Sequence, residues 1–238
     1  QLIKTILPAR EVAAIVLEPV QGEGGYIVPP AKFHQELRAI ADRHGMLLIH
    51  DEVQCGAGRT GLLWAHSHFG IEPDIFATAK GLASGMPLGA IVARSELMTW
   101  PPGAHASTFG GNPVSVAAAL VTMRLLHRSL MENASAMGIY LMDRMRDWPA
   151  RFRLAGDVRG LGLMIGIELV RDQVTKERAS TERDQVVRMC FERGLLVLGA
   201  GENTIRLSPP LIVSRDQADF AIATLESCLA EVGGTELA

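Results

Sequence analysis

MLLIHDEVQCGAGRTG, residues 46–61, is the stretch of sequence that decides the fold. It opens with four apolar residues, as a short buried strand does, and turns acidic at Asp51 and Glu52 before a glycine-rich loop. Comparable apolar runs stand at residues 13–17, 75–77 and 90–93. A helical pattern of apolar residues at 33–41 precedes the quoted stretch. Apolar strands that alternate with helices predict an α/β domain with a mostly parallel sheet.

The second half of the chain has a different pattern. A long helical tract covers residues 114–147, with a break near Ser129 or Asn133. Shorter apolar runs and helical patterns follow at residues 163–169, 184–194, 195–198, 204–207 and 216–229. This pattern predicts a small α+β domain. We therefore expect one domain at residues 1–130 and a second domain at residues 131–238.

Composition and charge exclude several classes of protein. The 23 Lys+Arg residues against 26 Asp+Glu give a net charge of −3, which does not favour binding to nucleic acid. No uninterrupted apolar run approaches the roughly 20 residues of a membrane-spanning helix. The three cysteines are widely spaced, which is typical of a reducing compartment, so we expect a cytoplasmic protein. The chain begins with Gln1 rather than Met, and we expect the true start to lie upstream.

Ionisable residues follow three of the predicted strands. Glu18, Asp51 and Lys80 each stand just after an apolar run. In open α/β sheets, ligands bind in the crevice at the carboxyl ends of the strands. Three such ends with ionisable residues predict one shared site. The small residues around Lys80 leave room beside its amine for a bulky planar group, and a lysine amine is a nucleophile when it is neutral.

Two other motifs invite interpretations that we reject. Residues 56–61 match the G-x-G-x-x-G pattern of dinucleotide-binding folds. However, the acidic stretch Asp51-Glu52-Val53-Gln54 separates them from the strand, and no acidic residue stands about 20 positions on at the end of a second strand, since Asp74 is only 13 residues past Gly61. His66 and His68 have the spacing of a metal-binding pair, but no third ligand accompanies them, and we expect no metal site.

Residues 105–113, HASTFGGNP, supply two hydroxyls and several glycine amides ahead of a helix. That combination is suited to binding a phosphate group. The same stretch is also explained by a helix that begins at Asn112, with Pro113 in its first turn. The two interpretations are compatible.

Five blocks of sequence carry a resemblance to a known family. They are EPVQGEGG at 18–25, DEVQ through GRTG at 51–61, Lys80-Gly81, STFGGNP at 107–113 and IRLSPPL at 205–211. In this order and spacing they resemble the class III (omega-amino-acid) aminotransferases, which are pyridoxal-phosphate enzymes of fold type I. The resemblance implies that residues 1–130 are the C-terminal part of the large cofactor-binding domain. Residues 131–238 would be the small C-terminal domain.

The resemblance also implies roles for the site residues. Lys80 would hold pyridoxal 5'-phosphate as a Schiff base and then move a proton, while Asp51 would pair with the pyridine nitrogen. The other cofactor contacts would come from Val53 on the ring face, Gln54 at the ring hydroxyl, and Ser107 and Thr108 at the phosphate. In this family that phosphate usually belongs to the neighbouring subunit, which implies a homodimer or a larger homo-oligomer.

Substrate contacts follow from the resemblance in the same way. Arg206 would bind a substrate α-carboxylate with two parallel hydrogen bonds. Glu23 would mask Arg206 while the distal amine of the donor reacts, and would swing away for the 2-oxo acid. Glu18 would support the site nearby.

The implied reaction moves an amino group from an omega-amino acid to 2-oxoglutarate. The donor is of the 4-aminobutyrate, ornithine or acetylornithine type. An amino-acid racemase or epimerase of the same family is one alternative, and a non-catalytic remnant that packs against a partner chain is another. The N-terminal half of the family, with its main phosphate-binding loop, has no counterpart here. We therefore expect a chain truncated at its N-terminus, and we assign the activity to the full-length family member.

Overall fold

The structure is a computed structural model that describes residues 8–234. These residues form two compact units. Unit 1 consists of residues 8–19, 29–58 and 62–128, and unit 2 consists of residues 20–28, 59–61 and 129–234. The expected boundary lies after residue 130, and in the structure the chain passes from unit 1 to unit 2 between Arg128 and Ser129. The sequence did not indicate that two short segments of the first half belong to unit 2. The ends of the expected domains, residues 1–7 and 235–238, lie outside the described residues.

Unit 1 contains a four-stranded sheet in the order β1-β2-β3-β4. The strands are β1 (Ala14–Leu17), β2 (Leu47–Asp51), β3 (Ile75–Thr78) and β4 (Ala90–Ala93). The first three are parallel, as predicted, and β4 runs antiparallel to β3. The connection from β3 to β4, residues 79–89, contains the 3₁₀ turn Lys80–Ala83 and no α-helix, and it is shorter than the crossover that a parallel pair needs. The sheet is therefore mixed, mostly parallel, as in α/β folds.

Helix α1 of unit 1 begins and ends where the sequence predicts, and helix α2 begins where it predicts. Helix α1 (Ala31–His44) follows Pro30 and ends at Gly45, whose φ of 66° is the left-handed conformation that glycine adopts easily. Helix α2 (Pro113–Leu125) begins after Asn112. The Asn112 side chain accepts hydrogen bonds from the backbone amides of Val114 (2.9 Å) and Ser115 (3.3 Å). The predicted helix start at Asn112 is therefore confirmed.

Unit 2 contains a four-stranded antiparallel sheet in the order β5-β6-β8-β7. Its helices are α3 (Met131–Arg144), α4 (Trp148–Arg151), α5 (Ser180–Glu192) and α6 (Arg215–Gly233), and its strands are β5 (Ala155–Leu161), β6 (Met164–Leu169), β7 (Leu198–Ala200) and β8 (Thr204–Leu207). The sequence did not predict β5, because its two glycines, Asp157 and Arg159 hide the apolar pattern. The predicted strand at 195–198 lies a few residues later, at β7. A single apolar core packs these helices against the sheet, with Trp148, Leu163 and Ile167 fully buried.

The long helical tract changes geometry where the sequence suggests a break. A π-helical turn, Leu126–Leu130, lies between α2 and α3. By length and composition alone, the tract Pro113–Arg151 is apolar enough to cross a membrane, with a mean hydropathy of 1.2 over its best window. The tract is not an uninterrupted apolar run, since it includes Arg124, Arg128 and Glu132. It is weak evidence for a membrane, since core helices of globular proteins pass the same test.

Candidate active site

Asp51 ends strand β2 and lies next to strand β3. It pairs in register with Ala77 of β3, and the amide of the next residue, Glu52, donates to the Ala77 carbonyl at 2.9 Å. Side chains alternate between the two faces here: His50 and Glu52 are buried, whereas Asp51 is exposed. The Val53 amide donates to Asp51 Oδ1 at 2.9 Å, which fixes one carboxylate oxygen. A carboxylate is thus held open at the carboxyl end of β2.

Lys80 follows strand β3 after a single residue and begins the 3₁₀ turn. Its side chain is exposed, and its φ of 42° is unusual for a residue with a side chain. A backbone conformation of this kind costs on the order of 1 kcal/mol or more and is found most often at functional sites. The fold therefore holds Lys80 in a strained position at the end of β3.

The loops that carry these two residues touch each other. A Cβ atom on Gly81 would lie 3.5 Å from the Cβ of Ala57, which belongs to the glycine-rich loop after β2. Both loops lie at the carboxyl edge of one parallel pair of strands. The structure therefore brings Asp51 and Lys80 to one edge of one sheet. Val53 and Gln54, both half-buried, lie in the same loop as Asp51, and Glu18 follows β1 at the same edge.

Ser107 and Thr108 lie in the exposed loop ahead of α2. Ser107 Oγ accepts a hydrogen bond from the Gly110 amide at 3.1 Å, so it shapes this loop. Both side chains face solvent in this chain. Their predicted contact with a phosphate group stays a prediction.

Arg206 and Glu23, both in unit 2, form an ion pair between Nη1 and Oε1. Arg206 lies on β8 with its side chain 19% exposed, and Glu23 is an exposed residue of the loop Val20–Val28. Arg206 also borders a groove of about 1000 Å³ whose walls are mostly apolar. Its positive charge is therefore paired with Glu23 beside an apolar space.

Glu52 is a buried anchor that the sequence analysis did not identify. Its carboxylate accepts hydrogen bonds from the amides of Ala65 and His66 and from His66 Nδ1, each at 2.8 Å, and from the Cys55 thiol at 3.5 Å. Burial alone would raise the pKa of Glu52, but these hydrogen bonds and the nearby His66 lower it below its usual value. The alternation of faces along β2 was the available signal: if Asp51 is exposed, Glu52 must point inward.

His50 lies in the same buried region and is unusual. Neither ring nitrogen has a hydrogen-bond partner within residues 8–234. Burial and the neighbouring His34 lower the pKa of His50 to about 4, so the ring is neutral at pH 7. His50, Glu52 and His66 offer possible metal-ligand atoms within 4.8 Å of one another. Glu52 and His66 belong to a hydrogen-bonded core, because four donors already fill the acceptor positions of Glu52.

Arg59 gives the rejected G-x-G-x-x-G motif a structural explanation. Its guanidinium donates to the carbonyls of Leu163 (3.3 Å) and Pro209, and its own carbonyl accepts from the Leu163 amide at 3.0 Å. Burial lowers the pKa of Arg59. The last three residues of the motif, 59–61, are therefore fastened within unit 2, which the sequence did not indicate.

Comparison with known proteins identifies the family to which this chain is similar. The family model for class-III aminotransferases matches residues 2–229. The chain is 44% identical over 226 residues to a leucine/methionine racemase from Thermococcus litoralis, covering 94% of this chain and 51% of the relative. It is 42% identical to the acetylornithine aminotransferase of Thermosynechococcus vestitus, covering 94% of this chain and 54% of the relative.

Solved structures agree with the sequence comparison. The crystal structure of a PLP-bound amine transaminase from an uncultivated Pseudomonas species matches with a TM-score of 0.90 and 36% identity. The match covers 97% of this chain and 55% of that protein. The fold is therefore that of the fold-type-I transaminases. The chain spans about half the length of the curated relatives it matches.

Proposed function

Because this chain belongs to the class-III aminotransferase family, we propose that it carries the reactive lysine and the substrate arginine of a pyridoxal-phosphate-dependent transaminase. The reaction moves the amino group of an omega-amino acid to 2-oxoglutarate. The observation that carries this proposal is the position of Asp51 and Lys80 at the carboxyl ends of neighbouring strands, on loops that touch. The proposed donor is of the acetylornithine, ornithine or 4-aminobutyrate type, and relatives named as acetylornithine aminotransferases support the first of these.

The residues present fit pyridoxal phosphate. An exposed lysine amine and an exposed carboxylate stand at one sheet edge, and the small residues Ala57 and Gly81 leave space beside them. When bound, the cofactor supplies a ring that accepts electrons from the reacting carbon of the substrate. Val53 would pack on the ring, Gln54 would reach its oxygen, and Glu18 would support the edge.

Lys80 and Asp51 have distinct tasks in this proposal. Lys80 would bind the cofactor covalently and, once the substrate amine displaces it, would carry a proton on Nζ between the substrate and the cofactor. Asp51 would hold the pyridine nitrogen protonated by its negative charge. The hydrogen bond from the Val53 amide keeps the Asp51 carboxylate in place for this task.

Arg206 and Glu23 would select the end of the substrate that enters. While they are paired, as observed, the charge of Arg206 is neutralised and an amine without an adjacent carboxylate can bind. When Glu23 moves away, the guanidinium can accept the carboxylate of a 2-oxo acid with two parallel hydrogen bonds. One arginine then serves both halves of the reaction.

An acceptor-dependence experiment tests the reaction. The longest form of the protein that the gene encodes is supplied with pyridoxal phosphate and with acetylornithine, ornithine or 4-aminobutyrate, each with and without 2-oxoglutarate. We expect glutamate to form only when donor and acceptor are both present. Loss of deuterium from the α-carbon of an amino acid in the absence of any acceptor would instead indicate a racemase and would contradict the proposal.

The proposal includes a dimer in the cytoplasm. If Ser107 and Thr108 bind the phosphate of a neighbouring subunit, each site needs a second copy of the chain. Sedimentation of the holoenzyme should give at least twice the monomer mass. A monomer that keeps full activity would show that these two residues do not serve a neighbour.

A further inference from the structure

The loop Val20–Val28, which carries Glu23, lies on the face of the unit 2 sheet. A backbone bridge between Gln21 and Ile27 closes it. Its tip includes Gly25 (φ 119°) and Tyr26 (φ 53°), so the chain turns sharply there. At the Glu23 end, the Gly201 amide donates to the Glu23 carbonyl at 2.7 Å.

One arginine fastens the other end of this loop. Arg159 lies on β5, and its Nη2 donates to the Gly25 carbonyl at 2.7 Å while its Nε donates to the Tyr26 carbonyl at 3.1 Å. The guanidinium is held from its other side by the carboxylates of Asp157 and Glu168. The rigid fork of an arginine thus binds two successive carbonyls of the loop while its charge is balanced.

Arg159 and Arg206 stand in one row across the sheet. Arg159 pairs in register with Gly166 of β6, and Gly166 pairs with Arg206 of β8. Side chains of residues in register point to the same face of a sheet. The two arginines therefore flank Gly166 on one face, one binding the loop backbone and the other binding the Glu23 carboxylate.

Gly166 makes room for the loop between the two arginines. A Cβ atom at this position would lie 2.8 Å from Tyr26 Cβ and 3.3 Å from the Gly25 carbonyl oxygen. Such distances are shorter than normal contacts, so only glycine at position 166 lets the loop pack directly against the sheet. The row Arg159-Gly166-Arg206 is a platform that fits this loop.

From this geometry we propose that Arg159 is a positioning residue for substrate selection. It fixes the loop backbone so that only the Glu23 side chain moves when Arg206 changes partner. This inference rests on the proposed function, because it assumes that Glu23 masks Arg206. Without Arg159 the loop would shift, Glu23 would pair poorly with Arg206, and the arginine would accept carboxylates in both halves of the reaction.

The test compares two donors in the holoenzyme of the longest encoded form. The measured quantity is kcat/KM for an omega-amino donor divided by kcat/KM for glutamate as donor. For Arg159→Gln we expect this ratio to fall about tenfold, with the KM of the omega-amino donor rising and its kcat changing little. A purely structural role would lower both kcat/KM values together and leave the ratio unchanged, which would overturn the inference.

Two further variants keep the test decisive. Gly166→Ala changes no charge but pushes the loop from the sheet, and it should lower the ratio in the same direction even if Arg159→Gln folds poorly. Arg183→Gln is the matched control. Arg183 donates to the Thr204 carbonyl of β8 at 3.3 Å, and the ratio should stay at the wild-type value in this variant.

Glu23→Gln separates failure of the inference from failure of the proposed function. If this variant lowers the donor ratio and Arg159→Gln and Gly166→Ala do not, the masking role stands and the positioning role of Arg159 is wrong. If Glu23→Gln leaves the ratio unchanged, Glu23 does not mask Arg206. The proposed selection then fails, and the inference about Arg159 fails with it.

Discussion

The two units bury apolar surface in very different ways. In unit 2, a continuous core joins four helices and a sheet and includes large side chains such as Trp148, Phe152 and Leu163. In unit 1, two clusters of buried residues have three members each, Ala41 with Met46 and Leu48, and Leu82 with Ala83 and Ala119. Both units leave large apolar side chains exposed, and in unit 1 they include residues of the outer strands, of α2 and of the loop before it: Val16, Ile91, Phe109, Val114 and Leu120.

The residues proposed for chemistry and those proposed for substrate selection lie in different units. The proposed chemistry, Asp51 and Lys80, lies in unit 1, whose outer strands β1 and β4 and helix α2 expose apolar surface. The proposed substrate selection, Glu23 and Arg206, lies in unit 2, on a sheet with a complete core. Exposed apolar patches of this kind are typical of surfaces that another segment or chain covers. We therefore expect unit 1 to be the less stable of the two.

The largest expected effect is on chemistry in unit 1. Lys80→Ala should lower transamination by about a thousandfold or more, because both the covalent attachment and the proton carrier are lost. Lys32→Ala is a matched control on an exposed lysine of the same unit and should retain activity. Turnover of donor and acceptor measures both variants. Near-normal turnover by the Lys80→Ala enzyme would show that the reaction does not take place at Lys80.

Two core variants compare how the units are held together. Glu52→Ala should destabilise unit 1 by about 3–5 kcal/mol, since two buried amides and His66 lose their acceptor. Ile167→Ala should destabilise unit 2 by about 2–5 kcal/mol through the cavity it leaves.

Amide hydrogen exchange, followed by mass spectrometry, locates each effect. Glu52→Ala should speed exchange in β2 and β3, and Ile167→Ala in β6 and β8. If either variant speeds exchange equally in both units, the comparison between two separately built cores is wrong.

Acid should also destabilise unit 1 before it destabilises unit 2. All seven histidines stand within the first 127 residues, so none belongs to unit 2. His50 has its pKa lowered from 6.5 to about 4, and that of His34 is lowered by burial. Because the folded state binds the proton more weakly than the unfolded state, stability from His50 is complete above about pH 6.5. It is lost as the pH falls towards 4, by up to about 3 kcal/mol.

Hydrogen exchange measured from pH 7 to pH 4 and corrected for the intrinsic rate checks this prediction. Protection in unit 1 should fall across that window, while protection in unit 2 should hold until its carboxylates titrate at lower pH. His50→Phe should remove much of the dependence in unit 1. Parallel loss of protection in both units would contradict the assignment of acid sensitivity to the buried histidines.

The smallest expected effects concern helix starts. Asn112→Ala at α2 and Ser214→Ala at α6 each remove a side-chain acceptor for helix amides and should cost about 1 kcal/mol. The loss should appear as local fraying in α2, whose apolar face is exposed, and as a change in overall stability of unit 2 for α6. Exchange of the first-turn amides against exchange of core amides distinguishes the two. Equal fraying in both helices would mean that the core of unit 2 does not support α6.

Much of the fold was predictable because local signals agree with it. Apolar runs give β1, β2 and β3, and Gly45 and Asn112 mark a helix end and a helix start through their own conformational preferences. Strand β5 was missed because its two glycines, Asp157 and Arg159 interrupt the apolar pattern, and Arg159 instead binds the loop that lies on the sheet. The antiparallel direction of β4 depends on the short connection from β3, which a search for strands alone does not weigh.

The site was predictable to the extent that its residues follow strands. Asp51 and Lys80 could be named from their position after apolar runs. Glu52 could have been placed only from the alternation of faces along β2. Arg159 could not be named, because it binds backbone carbonyls more than 130 residues away in sequence, which no residue type indicates. The assignment of residues 20–28 and 59–61 to unit 2 likewise depends on long-range contacts such as that between Arg59 and Leu163.

Reductive trapping tests the central claim most directly. The holoenzyme is treated with borohydride, which makes the bond between the cofactor and its lysine permanent, and the labelled peptide is identified by mass spectrometry. We predict a pyridoxyl group on Lys80, and weaker retention of the cofactor in Asp51→Asn. A label on Lys4, Lys32 or Lys176 instead, or no label on a protein that catalyses transamination, would contradict the account.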